Sequence, residues 1–224
     1  TNIVIGADGA SLTGSQAAIS HTQGQAYALR ALAHFDLLRM YGQHFITGQG
    51  GAGSLGVPYV KTYKNPDNLT PARDTVGSNV GDITADITTA ISMMSASLDS
   101  SPAYMTVAGA YAIGARALLY AGSVDSGLYS TAGTMAKWVI DNSGKTPVSA
   151  AGFNASFKTD YASNAIFELS FTGTDNRGIN GVAYRINRET GEVDKLDGLD
   201  ASIAKTLAGY LDNATITGLS LIHI

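Results

Sequence analysis

Small side chains at helical spacing dominate the most regular segment of the chain, AYALRALAHFDLLRMYG at residues 26–42. Ala28, Ala31, Leu32, Phe35, Leu38 and Gly42 recur with the period of one helix face. Tyr27, Leu37 and Tyr41 add a second apolar stripe, so a helix from about Thr22 to Tyr41 is expected to be sandwiched between neighbours. Alanines let neighbouring backbones approach closely, and Gly42 is a natural stop. The same run carries Arg30, His34, Asp36 and Arg39. Whether they form a reactive cluster or ride on a packed helix decides whether chemistry should be sought here.

The rest of the chain extends the helical pattern. Residues 43–72 read as a long connection holding GQGGAGSLG, VPYV and KNPDNLTP. Asp74 or Thr75 can cap a second helix whose stripe is Val76, Val80, Ile83, Ile87, Ala90 and Met94. Pro102 interrupts. A third helix is expected from about Thr106 to Ala121, stopped by Gly122, and a fourth from about Leu128 to Asn142. Helix, short turn and helix of similar length make a helical-hairpin unit. Ala28, Ala31 and Ala33 share their spacing with Ala112, Ala115 and Ala117, a weak internal echo of the kind found in stacked arrays. The expected fold class is therefore mainly α, with tetratricopeptide-like stacked hairpins, a few short strands and long loops. AIFELSF at 165–171 alternates as a short strand, another is expected at 182–186, and a last helix near 201–211. Two parts are expected: a helical scaffold over 1–171 and a loop-rich, truncated remainder over 172–224.

Composition narrows the function. Only 14% of residues are charged, against roughly a quarter in average soluble proteins. The net charge of −4 and the absence of a Lys/Arg-rich patch argue against nucleic acid, where neutralising phosphates carries most of the affinity. The chain has no cysteine, which removes disulfides, thiolate chemistry and Cys-bound zinc.

Site chemistry is sparse. His34 and Asp36 are two apart, hence on different helix faces, and cannot share a metal. Asp36 and Arg39 can pair on one flank instead, and nothing supplies a third catalytic partner. A structural role for Arg30, Asp36 and Arg39 therefore outweighs a reactive one, and neither a metal nor a cofactor is expected. Gly48, Gly50 and Gly53 make a formal G-x-G-x-x-G, but a helix precedes it and Val57-Pro58 follows, which is the wrong setting for a dinucleotide. What remains is aromatic and amide groups on loops: Tyr59, Tyr63, Asn65, Asn68, Tyr104, Tyr161 and Tyr184. Aromatic faces and amides suit sugars, while single tyrosines more often anchor loops. Tyr59 and Tyr63 are the candidate ligand contacts.

Several ordered segments together resemble the SusD/RagB family, the surface nutrient-binding lipoproteins of Bacteroidota. Gln25-Ala26-x-Ala28-Leu29-Arg30-Ala31-x-Ala33-x-Phe35-Asp36-Leu37-x-Arg39-x-Tyr41-Gly42 resembles its signature helix. Gly56-Val57-Pro58, Arg73-x-Thr75-Val76 and Ile83-x-x-Asp86-Ile87-x-x-Ala90 are similar to its next block, 108–122 to its third helix, and Ile166-Phe167-Glu168-Leu169-x-Phe171 to the strand that follows. Gln25 stands where the family usually has Glu, and Val80 where an aromatic is usual. The resemblance implies a helical scaffold contacting a SusC-type TonB-dependent transporter, a ligand that is a glycan or in some relatives a peptide, and no catalysis. It also implies an outer-membrane surface location, a lipid anchor outside these residues, and a chain that is an internal piece of a longer protein. The rival readings are a helical-repeat adaptor for other proteins and, last, a glycoside hydrolase, which would need two carboxylates facing across a cleft.

Overall fold

The computed structural model describes residues 1–43, 50–62, 70–156 and 159–170. Their elements, in chain order, are α1 (Asn2–Ile5), a 3₁₀ turn (Gly9–Ser11), α2 (Gln16–Tyr41), α3 (Val76–Met93), a second 3₁₀ turn (Ala96–Leu98), α4 (Val107–Ala121), α5 (Leu128–Asn142) and α6 (Phe153–Ser156).

Local chemistry sets the helix starts. Ser15, Thr75 and Thr106 each sit in extended backbone and accept the N–H three residues on, from Ala18, Ser78 and Gly109, satisfying a donor that the first turn leaves unpaired. The Ser15 cap explains why α2 begins earlier than its apolar stripe. Residues 107–121 and 128–142 are helical where the periodicity places them.

α2 packs on α3, α4 on α5, and α3 joins the two pairs through α4, giving two stacked helical hairpins. The core runs through Ala28, Ala31, Phe35 and Leu38 of α2, Val76, Ile83, Ile87 and Ala90 of α3, and Ala110, Ile113 and Ala117 of α4. The second stripe of α2 is less covered than expected: Leu37 and Tyr41 face solvent. Glycine as well as alanine brings the backbones close. A Cβ on Gly24 would stand 2.6 Å from Met94 Cγ and 3.0 Å from the Ala90 carbonyl, so α2 and α3 nest there.

Gln25, at the position where the signature helix usually has Glu, donates through Nε2 to the Met105 carbonyl at 2.7 Å. An ionised carboxylate could not make that bond. Val80 lines a narrow apolar cleft with Phe35, Leu38 and Tyr120, with room for about 10 Å³, where a larger side chain would reach further in.

The strand expected at 165–171 is not formed over its described residues. Residues 165–170 are irregular, and among the described residues the β-pairing is one isolated antiparallel bridge, Leu55 with Thr75. The Glu168 N–H donates to the Pro102 carbonyl at 2.9 Å, but proline has no N–H to return, so a ladder cannot grow from that contact. The expected strand at 182–186, the helix at 201–211 and the whole 172–224 part lie outside the described residues.

Candidate functional site

The polar residues of α2 divide between two places. Arg30 points inward and meets Asp86 of α3 with two parallel bonds, Nε to Oδ2 and Nη2 to Oδ1, both 2.7 Å. Both side chains are buried. Tyr59 donates its hydroxyl to the same Asp86 Oδ2 at 2.7 Å. His34 stacks on the Tyr59 ring at 4.0 Å. Its Nδ1 bonds the Arg30 carbonyl at 2.9 Å and its Nε2 accepts the Val60 N–H at 3.1 Å, so the proton sits on Nδ1. Arg30 Nη1 then reaches Asn2 Oδ1 at 3.0 Å, and Asn2 Nδ2 the Val60 carbonyl at 2.9 Å. One buried ion pair thus ties α1, α2, α3 and the segment around Val60 into a clasp. Burial first, and then the bond to Asp86, push the Tyr59 phenol well above the ordinary tyrosine range.

Beside the clasp, Asn79 of α3 is fully buried and grips the chain at Val57, accepting its N–H at 2.7 Å and donating to its carbonyl at 2.9 Å. A Cβ on Gly56 would collide with Asn79 Oδ1. That contact is the physical reason for glycine in Gly56-Val57-Pro58.

Asp36 and Arg39 lie at the rim. Their Oδ1–Nη2 contact is 3.0 Å, about a third exposed, and Arg116 of α4 approaches the same oxygen at 3.9 Å. His34 and Asp36 do not converge.

Of the candidate ligand contacts, Tyr59 is only 9% exposed, with its ring on His34 and its hydroxyl on Asp86. In this arrangement neither its face nor its hydroxyl is open to a ligand. Tyr63, Asn65, Asn68 and Tyr184 lie outside the described residues. Tyr104 is 61% exposed. Tyr161 is held at φ 54°, in the left-handed region that a bulky side chain seldom occupies, with its N–H on Glu168 Oε2 at 3.0 Å.

A small recess opens beside the start of α4. It holds about 140 Å³ and is lined by the loop that precedes α4 (Asp99, Ser100, Ser101, Pro102), by Thr106 and Ala108, and by Lys145 and Ile166. The sequence reading missed it because its walls come from three separate stretches of chain. The nearest signal was Pro102, read only as a break.

Residues 10–119 match the model of a SusD-like family described as "Starch-binding associating with outer membrane". Over those residues the chain is SusD-like. Arg30, His34, Tyr59, Asp86, Asn79 and the α2–α3 hairpin fall inside the matched span, whereas Asn2 of α1 precedes it. Solved structures share the SusD-like architecture. A candidate sugar-binding protein from Bacteroides vulgatus superposes with a TM-score of 0.68 at 25% identity, over 84% of this chain and 42% of its own. A SusD superfamily protein from Bacteroides thetaiotaomicron gives 0.66 at 25% identity, over 79% and 38%. A third structure, determined with a xylogluco-oligosaccharide, gives 0.57 at 21%, over 76% and 32%. The SusD-like chain therefore spans about two fifths of the length of the first two relatives. Among curated proteins, none matches it. In this SusD-like scaffold Arg30 closes a buried ion pair with Asp86, while Asp36 and Arg39 pair with each other at the rim.

Proposed function

We propose that this chain is part of a non-catalytic nutrient-binding protein of the cell surface, which captures glycans, or oligopeptides, and passes them to a SusC-type TonB-dependent transporter. The observation that carries the reading is the family match over residues 10–119, whose description joins starch binding to the outer membrane. The sugar-related relatives support the glycan side of it. The arrangement of these residues fits binding without turnover: Arg30, Asp86, Tyr59 and His34 spend their hydrogen bonds on one another, on Asn2 and on backbone, so none of these four faces solvent as an activated nucleophile or base. A lipid anchor outside these residues and a hinge closure over the transporter complete the proposal.

The test is isothermal titration of the full-length protein with panels of neutral glycans, acidic glycans and oligopeptides, run beside a product assay. Saturable binding to one class without product formation is expected. Binding to neither class overturns the reading, and turnover of a bound glycan overturns its non-catalytic part. Affinity purification from solubilised outer membranes is expected to bring down a TonB-dependent transporter, and its absence removes the delivery step.

A further inference from the structure

The recess before α4 combines groups that suit one kind of molecule. Lys145 can only donate hydrogen bonds, and the Asp99 carboxylate can only accept them, while the Ser100, Ser101 and Thr106 hydroxyls do both. Neighbouring sugar hydroxyls each donate and accept, so two of them satisfy an ammonium and a carboxylate together. The two charges offset each other inside the recess, leaving no net charge to hold an ionised ligand. Pro102 and Ile166 supply an apolar patch suited to the C–H face of a ring. About 140 Å³ is on the scale of one ring.

The walls are also set in advance. Both Asp99 oxygens lie 3.1 Å from the Val107 N–H, and the His21 ring, itself only 5% exposed, stands behind Asp99 at 3.8 Å. The Tyr104 N–H bonds the Ser101 carbonyl at 3.0 Å, and the Glu168 N–H pins Pro102 from the other side. By contrast, the Ser100 hydroxyl and the Lys145 ammonium have no partner among the described residues, so a ligand would find them unspent. A site fixed beforehand loses little to ordering when it binds.

We infer that this recess is a subsite for one neutral sugar ring of a bound glycan. The inference rests on the glycan-capture reading above and adds a place and a ligand class to it.

The experiment is an amide chemical-shift titration of the full chain with methyl glycosides of glucose, galactose and mannose, with glucuronate, with glycerol, and with starch and xyloglucan oligosaccharides. Saturable shifts at Ser100, Ser101, Thr106 and Ala108 are expected with at least one neutral glycoside. Lys145→Met, which keeps most of the side-chain length and removes the charge, is expected to weaken that binding about tenfold, as the loss of one charge-assisted bond does, with the remaining spectrum unchanged. Oligosaccharides that shift residues elsewhere while these amides stay still would refute the subsite and leave glycan capture standing. No shift with any saccharide defeats both. Glucuronate binding as tightly as the neutral glycosides, or glycerol producing the same shifts, rules out a neutral ring.

Discussion

Arg30 and Arg39 stand on the same helix, one inside the molecule and one at its rim, and their ion pairs differ accordingly. Removing one partner of a buried pair strands a charge, which costs about 3–5 kcal/mol, whereas an exposed pair is worth about 0–1 kcal/mol. Asp86→Ala is therefore expected to shift the urea midpoint far more than Arg39→Ala, and equal shifts would mean that the clasp carries no special weight. Tyr59 adds a pH signature. Its folded-state pKa is raised by burial and by Asp86, while in the unfolded chain a tyrosine ionises near pH 10. The stability held by the protonated phenol is complete below about pH 10 and is lost as the pH climbs beyond it. Urea midpoints measured from neutral to strongly alkaline pH should fall less steeply for Tyr59→Phe than for the parent chain.

Helix contacts, too, separate positions that look alike in sequence. Gly24 and Gly133 both interrupt helices, and Ala favours a helix over Gly by about 1 kcal/mol in each. At Gly133 a Cβ meets nothing within 4 Å, so Gly133→Ala is expected to raise the melting temperature. At Gly24 the new carbon presses on Met94 and on the Ala90 carbonyl. Backbone cannot swing aside as a side chain can, and overpacking costs about 1–3 kcal/mol, so Gly24→Ala should lower the melting temperature despite its better propensity. If both variants move the melt in the same direction, α2 and α3 are not nested at that point.

Thr1–Glu168 form one compact unit, built from the two hairpins and the segments clasped to them. We propose that this unit is sufficient for folding, close to the 1–171 boundary expected from the sequence. A chain ending at Glu168 should unfold in one cooperative urea transition. The single tryptophan is a convenient reporter, because Trp138 of α5 stacks on Tyr111 of α4 at 3.9 Å. Its fluorescence and the far-UV dichroism are expected to change together, and separate transitions would show that the hairpins do not depend on each other.

Periodicity and capping chemistry, which act within a few residues, were enough to place α3, α4 and α5 and to recognise that His34 and Asp36 face apart. The structural role of Arg30 was legible too, but its burial and its partner were not, although Asp86 lies between Ile83 and Ile87 of the α3 stripe. Which carboxylate answered, that Tyr59 joined it, and that Asn79 excluded a side chain at Gly56 depended on chain segments brought together from a distance. The recess at Asp99 and Lys145 belongs to the same class: no local pattern encodes it, because its parts are neighbours only after the hairpins have packed. The missing strand at 165–170 makes the same point in reverse. Alternation is a local property, whereas a strand needs a partner with donors to give, and packing put Pro102 there.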